Sequence, residues 1–542
     1  MTVPESAPRA APSPGGPLSS AVTALIGIGT ILTLGVIGRN LWFASDEWNI
    51  MTEYPSGNLL VPFNGHLSAV PVALYQVLFH TTGVVDHLPY RLLGLASLAF
   101  LSFMVVTYGR SRVGAWTAAL ALAAVLWNSS GSTNLLFPFL LNFSLPIALL
   151  VVVWWCVDRE RTGADIGAGV ALAFALACSG LGVVALIAVV VELAVSRAGW
   201  RRWATIVAPG GLLWLAWWST NRDAAAISRD VLRVARYSAR MLLGGTTSLA
   251  AGSTAGGVVL LIGLGALVAV SLVRWRTGRW RDDARIWGAL AAPAAFIGLT
   301  AVSRIDIVPS IPPDELRYGW TISAYLVLAA LACWRPTADD LRRLAPTARA
   351  AWVVGAFVVV LSALVLRVDL ERWVDVVETN GPGVRTNLFA AEAVGTERID
   401  PEIVMPLSFV PVTTGRYLSA VAQLGSPIDG ASADEFGGSP EQLDAADGLL
   451  RTSLRPVVAP AELGADRTCP LEIPVRPGAS VAIRKDRPGP VVVRRFGATP
   501  VFSLDPGPGS WTIELPRDRP VPADPAAPYR LSVPAGTTCP SD

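Results

Sequence analysis

Long apolar runs alternate with short polar, arginine-bearing segments along the first two-thirds of the chain. A helix needs about 20 apolar residues to cross a bilayer. On that pattern spans are expected at about 19–38, 91–108, 114–127, 138–156, 165–178, 181–196, 203–218, 256–273, 286–302, 319–334 and 351–366. Several are short, and need a thinned bilayer or a setting buried in protein. The stretch 165–196 reads as two short helices because Ser179-Gly180 supplies a turn. Two spans there also collect Arg110 and Arg112, Arg159 and Arg161, and the arginines of the later even-numbered loops on one side. Cytoplasmic loops carry such an excess. The resulting eleven spans put the N-terminus in the cytoplasm and the C-terminus outside. Residues 1–18 are rich in Pro, Ala, Ser and Gly and read as a disordered cytoplasmic tail.

The outer side then holds 39–90, 128–137, 219–255, 303–318 and everything after about 367. Residues 70–80 and 224–243 read as helices lying in the interface, the second with a face of Arg229, Arg233, Arg236 and Arg240 suited to anionic lipid. In the tail, 369–378, 413–424 and 439–453 have helical patterns. From about 455 the period changes to short alternating runs, LEIPV, SVAIR, PVVVRRF, PVFSL, SWTIEL and YRLSV, broken by Pro and Gly. That is the pattern of a β-sandwich. The expected organisation is a membrane domain at 19–366, a mixed helical segment at 367–454 and a sandwich at 455–542. The fold class is a polytopic α-helical membrane protein with an extracytoplasmic α+β domain.

Composition agrees. Of 542 residues, 52% are hydrophobic and 15% charged, against about 25% charged in soluble domains. The net charge of +2 gives no field for nucleic acid. Lys485 is the sole lysine among 43 basic residues, which with the abundant Ala, Gly and Pro suggests a GC-rich, actinobacterial genome. Cys469 and Cys539 are the cysteines outside the spans, on an oxidising side, and are expected to form a disulfide. Cys156, Cys178 and Cys333 fall in spans, where cysteine packs as a small apolar residue.

All three histidines, His66, His80 and His87, share the first outer loop with Asp46, Glu47, Glu53 and Asp86. The spans themselves hold almost no charge; Glu192 is the exception, near a cytoplasmic end where it can reach water. Acid–base groups thus gather on one face of the membrane. A first span, an outer loop opening with Asp46-Glu47-Trp48, and Asn64-Gly65-His66-Leu67 entering the helix at 70–80 together resemble the GT-C superfamily of membrane glycosyltransferases. Arg317-Tyr318 just before a late span looks similar to the same enzymes, and the β domain is placed as in actinobacterial arabinosyl- and mannosyltransferases.

The resemblance implies a polyprenyl-phosphate-linked sugar donor and an envelope glycan or lipid acceptor on the outer face. Inverting transfer needs a carboxylate to take the acceptor proton, and positive charge for the departing phosphate. Asp46 is assigned as general base, with Glu47 orienting the acceptor or binding a metal. Arg317 and Arg304 would clamp the donor phosphate, since guanidinium matches phosphate oxygens. His66 is a candidate for acceptor or metal contact; His80 and His87 read as interfacial fillers. A divalent cation on Asp46, Glu47 and His66 is an open alternative, although the second outer loop, WNSSGSTNLLFP, lacks the acid that some GT-C enzymes place there. Trp511 either stacks on sugar or fills the sandwich core. Two other classes are weighed. A lipid-linked sugar transporter would keep ionisable groups in its spans and show internal repeats, and neither is seen. A non-catalytic glycan- or lipid-binding scaffold would tolerate loss of Asp46.

Overall fold

The computed structural model describes residues 16–54, 57–221, 228–276, 284–307, 312–333, 345–396, 399–407, 410–432, 435–453, 456–462, 466–516 and 528–540. The expected tail at 1–18 lies almost wholly outside them, as do Arg279, Arg281, Arg335, Arg342 and Arg343 of the arginine-bearing loops and the start of the expected interfacial helix at 224–243. The chain divides into two compact units. Unit 1 comprises 1–39, 58–74 and 88–374; unit 2 comprises 40–57, 75–87 and 375–542.

The helices, in chain order, are α1 (Pro17–Ile37), α2 (Asp46–Glu53), α3 (Ala69–Thr81), α4 (Leu88–Val113), α5 (Ala115–Leu126), α6 (Ser132–Leu136), α7 (Leu141–Val157), α8 (Thr162–Cys178), α9 (Leu181–Ser196), α10 (Trp200–Arg202), α11 (Ala208–Thr220), α12 (Val231–Leu249), α13 (Thr254–Arg276), α14 (Ala284–Arg304), α15 (Leu316–Cys333), α16 (Ala345–Val394), α17 (Thr414–Leu424) and α18 (Pro440–Ser453). A helix stands at every expected span. Among the described residues seven are long and apolar enough to cross a bilayer; α5, α8 and α9 are apolar but shorter. The expected span at 203–218 begins in a π-helical turn, Trp203–Val207, and continues as α11. Thr205 has its carbonyl pressed against Gly169 of α8, where a Cβ would sit 2.2 Å away. The protein is multi-pass.

Exposed apolar faces support that reading. Leu25 of α1 is 72% exposed, Ile262 of α13 68% and Phe357 of α16 63%. Rows of such side chains are stable only against lipid. The helices of unit 1 instead meet through small residues, which let backbones approach closely. Gly245 of α12 faces Ile322 of α15, Gly288 of α14 faces the Ala188 carbonyl of α9, and Gly109 of α4 faces Ala118 of α5. Serine hydroxyls add polar links: Ser97 with Ser144 at 2.8 Å, and Ser323 donating to the Gly245 carbonyl at 2.7 Å. Arg91 donates to the carbonyls of Leu34 and Gly35 at 3.1 and 3.2 Å, at the C-terminal turn of α1, where carbonyls run short of intrahelical donors. α16 runs 50 residues without a break at 366, the expected end of the membrane domain.

In unit 2 the sandwich has two sheets, of strand order β5-β10-β7-β8 and β3-β9-β6-β11-β4. The strands are β3 (Val457–Pro460), β4 (Asp466–Thr468), β5 (Glu472–Val475), β6 (Ser480–Lys485), β7 (Val491–Arg494), β8 (Phe502–Leu504), β9 (Gly509–Glu514), β10 (Tyr529–Ser532) and β11 (Thr538–Pro540). The six alternating runs of the sequence are β5 to β10. A hairpin, β1 (Val404–Leu407) with β2 (Val410–Thr413), precedes α17. Alternation puts Val491 and Val493 of β7 and Tyr529 and Leu531 of β10 inward, where they meet Ile483 and Ile513 of the other sheet. Trp511 packs against this core and donates from Nε1 to the Gly507 carbonyl at 3.1 Å.

Cys469 and Cys539 are disulfide-bonded across a sequence separation of 70. Closing that loop restricts the unfolded chain by about 4 kcal/mol in the chain-entropy model. Reduction of the full-length protein, or Cys469→Ser with Cys539→Ser, should therefore raise hydrogen exchange in β4, β6 and β11 while leaving the helices of unit 1 protected. Equal exchange before and after reduction would contradict it.

Candidate active site

In unit 2, α2 opens with Asp46 and Glu47 in its first turn. Two acids there are favoured by the unpaired N–H groups and positive end of a helix. The eight-residue helix then splits its faces. Glu47, Trp48, Ile50, Met51 and Thr52 are buried, whereas Asp46 and Asn49 are half-buried. Ser45, just before Asp46, has φ +53° and ψ −128°. That conformation costs an L-residue about 1–3 kcal/mol, and only firm packing on either side sustains it.

The packing centres on Glu47, which is 1% exposed. Tyr75 Oη of α3 donates to its Oε1 at 2.8 Å, and the Ala44 N–H donates to Oε2 at 3.2 Å. His87 Nε2 lies 3.1 and 3.2 Å from the two carboxylate oxygens. His87 Nδ1 is 2.9 Å from the Leu41 carbonyl, which can only accept, so Nδ1 carries a hydrogen and the Nε2–carboxyl contact holds another proton. Trp42, Phe43 and Trp48 close around the group edge to face, with Phe43 4.7 Å from the His87 ring. Trp48 Nε1 donates to the Phe43 carbonyl at 3.1 Å, and the Arg385 guanidinium lies 4.5 Å above Trp42. Glu47 was expected to orient acceptor or bind a metal. Its oxygens are instead occupied from within the fold. His87, expected as an interfacial filler, is its partner.

The other end of α2 faces the tail. Arg416 of α17 pairs with Glu53 Oε1 at 3.0 Å. The Glu53 carboxyl is raised above its ordinary range, mainly by burial, with Arg416 pulling it down and the charge of Asp46 pushing it up. Asp46 and Glu53 are two turns apart, so both carboxyls belong to one face of α2. His80 and Asp86 are exposed.

The remaining expected residues belong to unit 1. Asn64 and Gly65 have φ +49° and +79°, and Phe63 and His66 exchange two backbone hydrogen bonds of 2.9 Å. That is a tight Asn-Gly turn with positive φ at both central positions. It presses the His66 ring against Gly180, where a Cβ would lie 2.9 Å from His66 Cε1. Arg304, at the end of α14, donates from Nη2 to the Asn64 carbonyl at 3.4 Å. The His66 imidazole is lowered to about 4 by burial and by the Arg304 charge. Arg317 lies 3.6 Å from Glu315 and over the Tyr318 ring. The charges of Arg304 and Arg317 both act on Tyr318 and on Tyr237 of α12, so the structure gathers both arginines around one pair of phenols.

Among the described residues no three His, Cys, Asp or Glu side chains come together as a metal site. The Asp46–Glu47–His66 set does not fit one: Glu47 is saturated by hydrogen bonds, and His66 lies under a guanidinium charge. Sequence reasoning missed a further carboxylate. Asp369 of α16 accepts from Ser132 Oγ at 3.0 Å, bringing an acid to the segment 128–137 from far along the chain. Only an acid near a span end hinted at it.

No family model and no curated protein matches the chain. Crystal structures similar to it include two of one protein. ArnT from Cupriavidus metallidurans bound to undecaprenyl phosphate aligns at 16% identity and a TM-score of 0.43, over 81% of this chain and 92% of that one. ArnT from the same organism in the apo state aligns at 14% identity and 0.42, over 81% and 93%. At those scores the likeness assigns neither activity nor substrate to this chain.

Two outcomes follow from the geometry. Glu47→Ala strips Tyr75, His87 and Ala44 of their acceptor at once and should cost about 3–5 kcal/mol, read as a lowered thermal midpoint with increased hydrogen exchange in 40–57 and 75–87. Glu47→Gln, which keeps an acceptor oxygen, should lose clearly less. For His66, the folded imidazole (about 4) lies below its ordinary 6.5. The unfolded chain takes up the proton first as pH falls, so this group's contribution is full above pH 6.5 and is lost toward pH 4. The wild-type midpoint should fall more steeply across that window than that of His66→Gln.

Proposed function

We propose that the chain is an inverting membrane glycosyltransferase of GT-C type. It moves a sugar from a polyprenyl-phosphate-linked donor to an envelope glycan or lipid acceptor on the outer face, with the C-terminal domain extracytoplasmic. The observation that carries this reading is Asp46: a half-buried carboxyl at the first turn of a helix whose other face is locked by a saturated, buried glutamate. A general base needs that combination of access and fixed position.

In the proposed reaction Asp46 removes the proton from an acceptor hydroxyl as its oxygen bonds to the anomeric carbon. The bond from that carbon to the phosphate oxygen breaks, and the phosphate leaves on the lipid with the electron pair. Arg304 and Arg317 stabilise the charge that develops on it. Glu47, with His87 and Tyr75, acts as a positioning residue for α2. His66 holds the Asn64-Gly65 turn beside Arg304. No step requires a metal ion.

The test is a gene deletion rescued with wild type, Asp46→Asn or Arg317→Gln at equal membrane levels, with envelope glycans compared by linkage analysis. Loss of a general base should slow transfer by about 10²–10⁴-fold, so one linkage should vanish with the deletion, return with wild type and stay absent with Asp46→Asn. Arg317→Gln should restore it weakly, because one donor to the developing charge is worth about 10²–10³ in rate. Full rescue by Asp46→Asn would instead favour a glycan- or lipid-binding scaffold.

A further inference from the structure

At the end of the helices opposite Arg304, unit 1 holds a cavity of about 510 Å³ for which the proposed transfer has no use. α14 connects the two: Ala284 and Arg285 line the cavity, and Arg304 ends the same 21-residue helix, about 30 Å away. The cavity wall is an ionic network. Asp158 bridges Arg112 at 2.9 Å and Arg285 at 3.0 Å. Arg285 also meets Glu192 at 2.7 Å, the Tyr108 hydroxyl at 2.8 Å and the Trp154 carbonyl at 3.3 Å. Glu192, expected to reach water, is thus buried and paired.

The network leaves donors over. Arg112 and Arg285 are each 8% exposed, and the buried Nε–H of each has no acceptor among the described residues. A buried donor without an acceptor is unfavourable. Arg202, which pairs with Asp165 at 2.8 Å, and Arg274 line the same cavity, as do Asp158, Glu160 and Glu192. The facing wall is apolar, formed by Leu267 and Val270 of α13. What fits is an oxyanion that accepts several hydrogen bonds, with room for a hydrocarbon chain beside it.

We propose that this cavity binds a phosphate group, at the end of the bundle expected to face the cytoplasm. A phospholipid headgroup and free phosphate share that chemistry. The inference stands independently of the transfer reading, because none of its residues belongs to the proposed active site.

Full-length protein would be tested in two arms by its thermal midpoint. In detergent, inorganic phosphate is compared with sodium chloride at equal ionic strength. In nanodiscs, phosphatidylglycerol is compared with phosphatidylcholine. A saturable gain in the phosphate arm alone assigns free phosphate; a gain in the lipid arm assigns the headgroup. Either gain should weaken about tenfold in apparent affinity in Arg274→Gln, which loses one charged donor. It should disappear in Leu267→Trp, which fills the apolar wall and leaves every charge in place. No gain over the control in either arm, or a gain unchanged in both variants, overturns the proposal.

Discussion

A carboxylate taken out of water must find partners within the fold, and Glu47 shows how much structure that requirement can organise. Its oxygens take hydrogen from a tyrosine 28 residues away, a histidine 40 residues away and a backbone amide three residues back. None of these contacts is worth much unless all are made, because a partly satisfied buried charge is worse than an apolar core. The result ties 40–57 to 75–87 and fixes the first turn of α2. Asp46, the neighbouring acid, inherits a fixed position while keeping access to solvent. One acid is locked into the fold, and the other stands half-buried beside it.

Unit 1 repeats the theme with cations. Apolar spans leave few places for charge, so arginines concentrate at helix ends, where each meets a different set of partners. Arg91 donates to two carbonyls at the C-terminal turn of α1. Arg285 is enclosed by two acids and a phenol. Arg304 and Arg317 lie beside Tyr318 and Tyr237, at half-buried positions suited to anion recognition.

Much of the fold was legible because its signals are local. Eleven apolar runs became helices, six alternating runs became strands, and two cysteines outside the spans became a disulfide. The misses are where a local signal was weak or a partner distant. β3, β4 and β11 are edge or short strands whose alternation covers too few residues to stand out. His87 was misread because its value lies in a carboxylate 40 residues away. Asp369 was overlooked because no feature of its own neighbourhood pairs it with Ser132, 237 residues earlier. The Asn64-Gly65 turn, by contrast, carried its own sequence signal in the Asn-Gly pair.

The sequence by itself determined that this chain is a multi-pass helical protein with a disulfide-bearing β domain. Hydrophobic period and length fix secondary structure and membrane crossing without reference to distant residues. It also named the acids and arginines on which the proposed transfer rests. Tertiary structure decided the surroundings of each. Asp46 and Glu47 are adjacent and chemically alike, yet one is saturated inside the fold and the other reaches solvent. A helix turns by about 100° per residue, so neighbours face different surroundings, and those surroundings come from parts of the chain that local pattern cannot bring together.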